Sequence, residues 1–134
     1  MKQSTLLMVT SLFSILFLTI HFTSDFLHDE GELSLQLVLV SALILTVLLW
    51  GTLVLAERRT GYVIMLLGSL FALGMPVIHL VRARGVASAL ARPDAFLFVW
   101  ILLALGVTGL FSAVLAVRGL VSLQRDRPPV ARRD

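Results

Sequence analysis

Four long runs of apolar residues constrain this chain more than any other feature of its sequence. They cover residues 4–22, 33–56, 61–81 and 95–121. A helix needs about 20 apolar residues to cross the hydrocarbon core of a bilayer, and each run reaches about that length. Because a lone strand in lipid would leave its backbone groups unpaired, the runs must be helical. We therefore predict an all-α polytopic membrane protein with four transmembrane helices.

The connections between these runs are short, which makes consecutive helices antiparallel neighbours. We therefore predict one domain, an antiparallel four-helix transmembrane bundle over residues 1–122. Residues 123–134 are rich in Arg and contain Pro128 and Pro129. Such a segment buries little apolar surface, and we predict a disordered basic tail there.

The composition supports the membrane interpretation and narrows the chemistry. Hydrophobic residues make up 58% of the chain and charged residues only 14%, whereas an ordinary soluble domain has about 25% charged residues. The chain has no cysteine. This excludes disulfides, thiolate metal sites and cysteine nucleophiles, so any metal ion would need His or carboxylate ligands.

The positions of the basic residues predict the orientation of the helices. Most Lys and Arg residues fall on one side of the predicted bundle, and only Arg82, Arg84 and Arg92 fall on the other. Positively charged segments stay in the cytoplasm, so we expect cytoplasmic N- and C-termini and no role in nucleic-acid binding. The residues on the predicted cytoplasmic side are Lys2, Arg58, Arg59, Arg118, Arg125, Arg127, Arg132 and Arg133.

Polar residues of the first run and of the segment just after it follow helical spacing and share one face. They are Ser4, Ser11, Ser14, His21, Asp25 and His28. A polar face on a helix in lipid is expected to turn toward protein.

Small residues in the third and fourth runs predict close helix packing. The small positions are Gly68, Ala72, Gly106, Gly109 and Ala113. They also suggest a homo-oligomer or a membrane-protein partner. Pro76 removes a backbone donor inside the third helix, which predicts a kink.

Aromatic residues near the ends of the runs are typical of anchors at the membrane surface. Trp50, Tyr62 and Trp100 occupy such positions, and we predict that role for them.

The candidate site of the sequence combines His21, Asp25 and His79, with His28 as a further ligand. The predicted topology places the first three at similar depth near the outer surface. Three interpretations stay open: a divalent metal site, a site for protons or a small ligand, and hydrogen bonds that only join helices. No cofactor is expected if the last is correct.

Four segments resemble those of small bacterial four-span membrane proteins of unknown function. They read HFTSDF at 21–26, LVLAERRTGY at 53–62, GSL at 68–70 and MPVIH at 75–79. The resemblance implies a location in the bacterial inner membrane and carries no catalytic residue with it.

The sequence contains no Walker motif, no Gly-x-Ser-x-Gly elbow and no His-Glu-x-x-His motif, so it favours a protein that is not an enzyme. We predict a structural or interaction protein, with the metal- or proton-handling protein as the alternative.

Overall fold

The computed structural model describes residues 2–28, 34–82 and 95–125. Four helices account for nearly all of this part: α1 (Gln3–His28), α2 (Leu35–Leu53), α3 (Arg59–Arg82) and α4 (Ala95–Arg125). The described residues contain no strand. The predicted all-α bundle of four apolar helices is thus confirmed, and each helix is long and apolar enough to cross a membrane.

The first and last helices extend beyond the apolar runs that predicted them. α1 continues past residue 22 to His28, and α4 continues past residue 121 to Arg125. A helix satisfies its backbone hydrogen bonds internally, so it does not have to end where lipid contact ends. Asp25 is therefore on α1, as its helical spacing from His21 predicted, although it lies beyond the apolar run. Residues 126–134, most of the predicted disordered tail, lie outside the described part.

A tight turn connects α2 to α3. The amide of Val54 donates to the carbonyl of Trp50 at 2.9 Å and ends α2. Glu57 then adopts a φ of 68°, a left-handed conformation that costs a residue with a side chain about 1–2 kcal/mol. A Cβ at Gly61 would overlap the carbonyl oxygen of Leu55. Only glycine therefore fits where α3 passes the turn.

α4 is the central helix, with α1 and α3 packed against it. α4 packs most extensively against α3 and α1, and α2 lies against α3 and α1 with much less contact. The Gln3 amide donates to the carbonyl of Leu115 at 3.2 Å, while His21 lies beside Phe98 near the start of α4. These contacts fit helices α1 and α4 running in opposite directions.

Small residues of α4 let it approach α3 closely. A Cβ at Gly109 would come within 3.1 Å of the Ala72 Cβ, and one at Gly106 within 3.2 Å of the Pro76 ring. Ala113 is also buried. Gly68 differs from this pattern because it faces the Leu48 side chain of α2. Gly68 and Ala72, one turn apart on α3, thus contact two different helices, α2 and α4.

Pro76 is buried within α3, which continues through it to Arg82. The kink predicted at this position stays a prediction. The Pro76 ring instead has a clear packing role, since it fills the space beside Gly106.

The three aromatic residues predicted as membrane anchors divide into two groups. Trp50 and Trp100 are more than half exposed on the outer surface of the bundle, as an anchor requires. Tyr62 is only 7% exposed and packs in a core cluster with Leu7 and Ala116. The prediction of a surface position for Tyr62 was therefore wrong. Gly119 provides the space for the ring, because a Cβ there would overlap it.

Candidate metal centre

The candidate site lies at the end of the bundle where α1 and α3 finish and α4 begins. His21 and Asp25 are one helical turn apart on α1. His79 lies in the last turn of α3, and Phe98 in the first turn of α4. Helix periodicity places His21 and Asp25 on one face, and packing of α1 and α3 against α4 brings the two histidines together.

The polar face of α1 turns inward, as predicted. Ser11, Ser14 and His21 are all buried. The Ser14 hydroxyl donates to the carbonyl of Thr10 at 3.1 Å, whereas the Ser11 hydroxyl has no hydrogen-bond partner in the described part. Buried polar side chains thus extend along α1 from the middle of the bundle to the histidine site.

His21, Asp25 and His79 converge on a small volume. One ligand atom from each of the three lies within 4.8 Å of the others. The His21 and His79 rings are perpendicular, at 87°, with centroids 4.9 Å apart. The His21 Nε2 is 3.4 Å from the Asp25 Oδ2. Ligands from two helices that are far apart in sequence therefore face one another.

His21 is fully buried, yet neither of its ring nitrogens has a hydrogen-bond partner. The 3.4 Å contact with Asp25 is close enough for an ion pair but lacks the geometry of a hydrogen bond. A buried polar group without a partner costs about 1–3 kcal/mol. The arrangement is therefore incomplete as a purely hydrogen-bonded contact between helices.

Asp25 opens the site toward the end of the bundle. Its side chain is 42% exposed, and His79 is partly buried. An ion could thus enter beside Asp25 and reach the buried ring of His21. This gradient from exposed carboxylate to buried imidazole is a feature expected of an accessible metal site.

Aromatic rings line the side of the site that faces α4. The Phe98 ring centroid lies 5.6 Å from that of His21 and 5.3 Å from that of His79. Phe22 contacts His21 from α1 at 6.1 Å. Phe98 was not among the predicted site residues. It lies at the start of the fourth run, which is at the same end of an antiparallel bundle as His21, and this position could have indicated its role.

The donor set matches a divalent transition metal. Two imidazole nitrogens and one carboxylate oxygen suit zinc, iron, nickel or copper. Around an ion with bonds of about 2.1 Å, tetrahedral ligand atoms are separated by about 3.4 Å. Ligand atoms up to 4.8 Å apart would therefore need to move together by about 1.4 Å, which side-chain rotation can supply.

The other predicted site residues do not take part in the cluster of His21, Asp25 and His79 within the described part of the chain. α1 reaches His28, but its side chain lies outside the described part, so its role as a further ligand stays a prediction. Arg58, Arg59, Arg118 and Arg125 are exposed, at the end of the bundle opposite the histidines. Arg127 lies outside the described residues.

Comparisons with known proteins add no function to this geometry. No family model, curated protein or solved structure matches the chain.

Proposed function

We propose that this chain is an integral membrane protein that binds one divalent transition-metal ion through His21, Asp25 and His79. The observation that carries the proposal is the convergence of three ligand groups within 4.8 Å, one of them a fully buried histidine without hydrogen bonds. We further propose the bacterial inner membrane as its location, with both termini in the cytoplasm and the metal site near the outer surface. The uneven distribution of Lys and Arg supports this orientation.

The proposed ion explains the arrangement around His21 better than helix packing alone. Without an ion, the buried imidazole faces a second imidazole and a carboxylate and forms no hydrogen bond with either. With an ion, a ring nitrogen of His21 gains a ligand bond, and the Asp25 carboxylate supplies compensating negative charge. Three protein ligands would also leave a coordination position open, which is typical of metal sites that bind water or substrate.

The competing proposal is the structural or interaction protein predicted from the sequence. In the structure, Gly106 and Gly109 contact α3 of the same chain. A homo-oligomer would therefore have to use another surface.

Elemental mass spectrometry of the detergent-purified chain tests the metal proposal. We expect about one equivalent of zinc, iron, nickel or copper per chain, and its loss in His21→Gln and His79→Gln. Thr23→Ala, an exposed change on the same helix, is the matched control and is expected to keep the ion. Circular dichroism establishes equal folding of the variants, and His28→Gln tests the further ligand.

Bound metal also has to stabilise the fold. At 100 times its dissociation constant, an ion that binds only the folded state adds about 2.7 kcal/mol to the free energy of unfolding. The metal proposal is wrong if wild-type protein incubated with each of the four ions neither retains metal nor gains stability. The same holds if folded His21→Gln and His79→Gln bind as much metal as Thr23→Ala.

A further inference from the structure

A basic groove lies at the end of the bundle opposite the histidine site. It has a volume of about 370 Å³ and runs between the start of α1 and the end of α4. Arg118, Ser122 and Arg125 follow helical spacing and line it from α4. Gln3 lines it from α1, and its amide donates to the carbonyl of Leu115, which ties the two helices together beside the groove.

The two arginines of this groove have no protein counter-ion within the described residues. Neither forms an ion pair there. Asp25 and Glu57 are the only carboxylates in residues 2–28, 34–82 and 95–125. Asp25 pairs with His21 at the other end of the bundle, and Glu57 is in the α2–α3 turn. The positive charge of the groove is therefore uncompensated by the described protein.

The position of Arg118 favours a counter-ion. It lies within a helix that is apolar enough to span a membrane, seven residues and about 10 Å before Arg125. A charged side chain at such depth is costly unless it reaches the membrane surface or a partner of opposite charge. Arg118 and Arg125 line the same groove, so one anion bound there can contact both side chains.

We infer that this groove binds the phosphate group of an anionic phospholipid. Guanidinium groups bind phosphate oxygens through two parallel hydrogen bonds. The apolar residues beside the arginines fit the rest of such a molecule: Val117 and Val121 line the groove and are 47% and 41% exposed, so an acyl chain can lie against them. This inference uses the membrane insertion of the proposed function but is independent of the metal site.

Native mass spectrometry of the chain in detergent tests the inference. Dioleoyl phosphatidylglycerol and dioleoyl phosphatidylcholine carry the same acyl chains but differ in head-group charge. We expect the wild-type chain to bind phosphatidylglycerol about tenfold more tightly, or about 1.4 kcal/mol, since the choline cation of phosphatidylcholine would repel the two arginines and the glycerol head group does not. Arg118→Gln/Arg125→Gln is expected to remove this preference.

The matched control is Arg58→Gln/Arg59→Gln, which removes the same charge from an exposed turn on the same predicted side. It is expected to retain the preference for phosphatidylglycerol. Equal loss of preference in both double variants would overturn the inference, because general surface charge would then explain binding. Displacement of the lipid by an equal concentration of inorganic phosphate would overturn the assignment to a lipid.

One further double variant keeps the test decisive. Arg118→Lys/Arg125→Lys keeps the charge but loses the paired hydrogen bonds, and it is expected to bind with intermediate affinity. It also replaces the Gln variant if that variant does not fold. A reduced but remaining preference of the lysine variant for phosphatidylglycerol supports paired guanidinium recognition, whereas an unchanged preference would refute it. Failure of the metal assay leaves all of these outcomes unaffected.

Discussion

Replacement of Gly109 by alanine tests whether the α3–α4 contact is as close as the structure indicates. The added Cβ would lie 3.1 Å from the Ala72 Cβ, 3.2 Å from the Ser69 carbonyl oxygen and 3.3 Å from the Leu73 nitrogen. Two of these three atoms belong to the backbone of α3. Side-chain rotation cannot relieve the contact, so the helices have to separate by a few tenths of an ångström.

The magnitude follows from two opposing effects. Overpacking of a close contact costs about 1–3 kcal/mol, whereas Gly→Ala inside a helix gains about 0.5–1 kcal/mol. We expect Gly109→Ala to lower the free energy of unfolding by about 1 kcal/mol. Gly74→Ala is the matched control on α3, because no atom lies within 4 Å of its added Cβ. It is expected to leave stability unchanged or raise it by up to about 1 kcal/mol.

Unfolding in mixed micelles, with increasing dodecyl sulfate and circular dichroism as the signal, measures both variants under the same conditions. The close packing of α3 and α4 would be refuted if Gly109→Ala were as stable as Gly74→Ala. A stabilised Gly109→Ala would lead to the same conclusion, since helix propensity would then outweigh any contact.

Three further substitutions are expected to change the free energy of unfolding in the same assay. Gly61→Ala should lower it by about 2–3 kcal/mol, because the added Cβ overlaps the Leu55 carbonyl oxygen; a loss below about 0.5 kcal/mol would contradict that contact. Glu57→Gly should raise it by about 0.5–1 kcal/mol, since glycine adopts the φ of 68° without steric cost; a loss would argue against the left-handed turn. Ser112→Ala should raise it by about 1 kcal/mol, because the buried hydroxyl has no partner. Ser69→Ala, which removes a hydrogen-bonded hydroxyl, is its control and should bring no such gain.

The sequence predicted the four helices because transfer into lipid depends on the length and apolarity of each run, which are local properties. The same reliance on apolarity placed the end of α1 too early, at residue 22. Polar residues after Phe22 end the apolar run but do not interrupt the backbone hydrogen bonds, which continue to His28. Hydropathy therefore located the helices better than it located their ends.

The contacts between neighbouring helices were harder to predict than the depth of a residue along the bundle. Helix length and topology placed His21 and His79 at a common depth, but only the packed bundle brings their rings to 4.9 Å. The same difficulty affected Tyr62, whose burial depends on the space left by Gly119 on another helix. Gly68 likewise faces α2, and no spacing within α3 indicates which neighbour a small residue will meet.

The link between Gln3 and Leu115, 112 residues apart, has a consequence for how the chain is made. Synthesis produces α1 before α4, but the His21 ring of α1 packs against Phe98 of α4. Until α4 is in place, the side of the His21 ring that faces Phe98 remains uncovered. Phe98 of α4 also contacts both histidine rings. The site is thus completed during biogenesis by the helix that contributes none of its three candidate ligands.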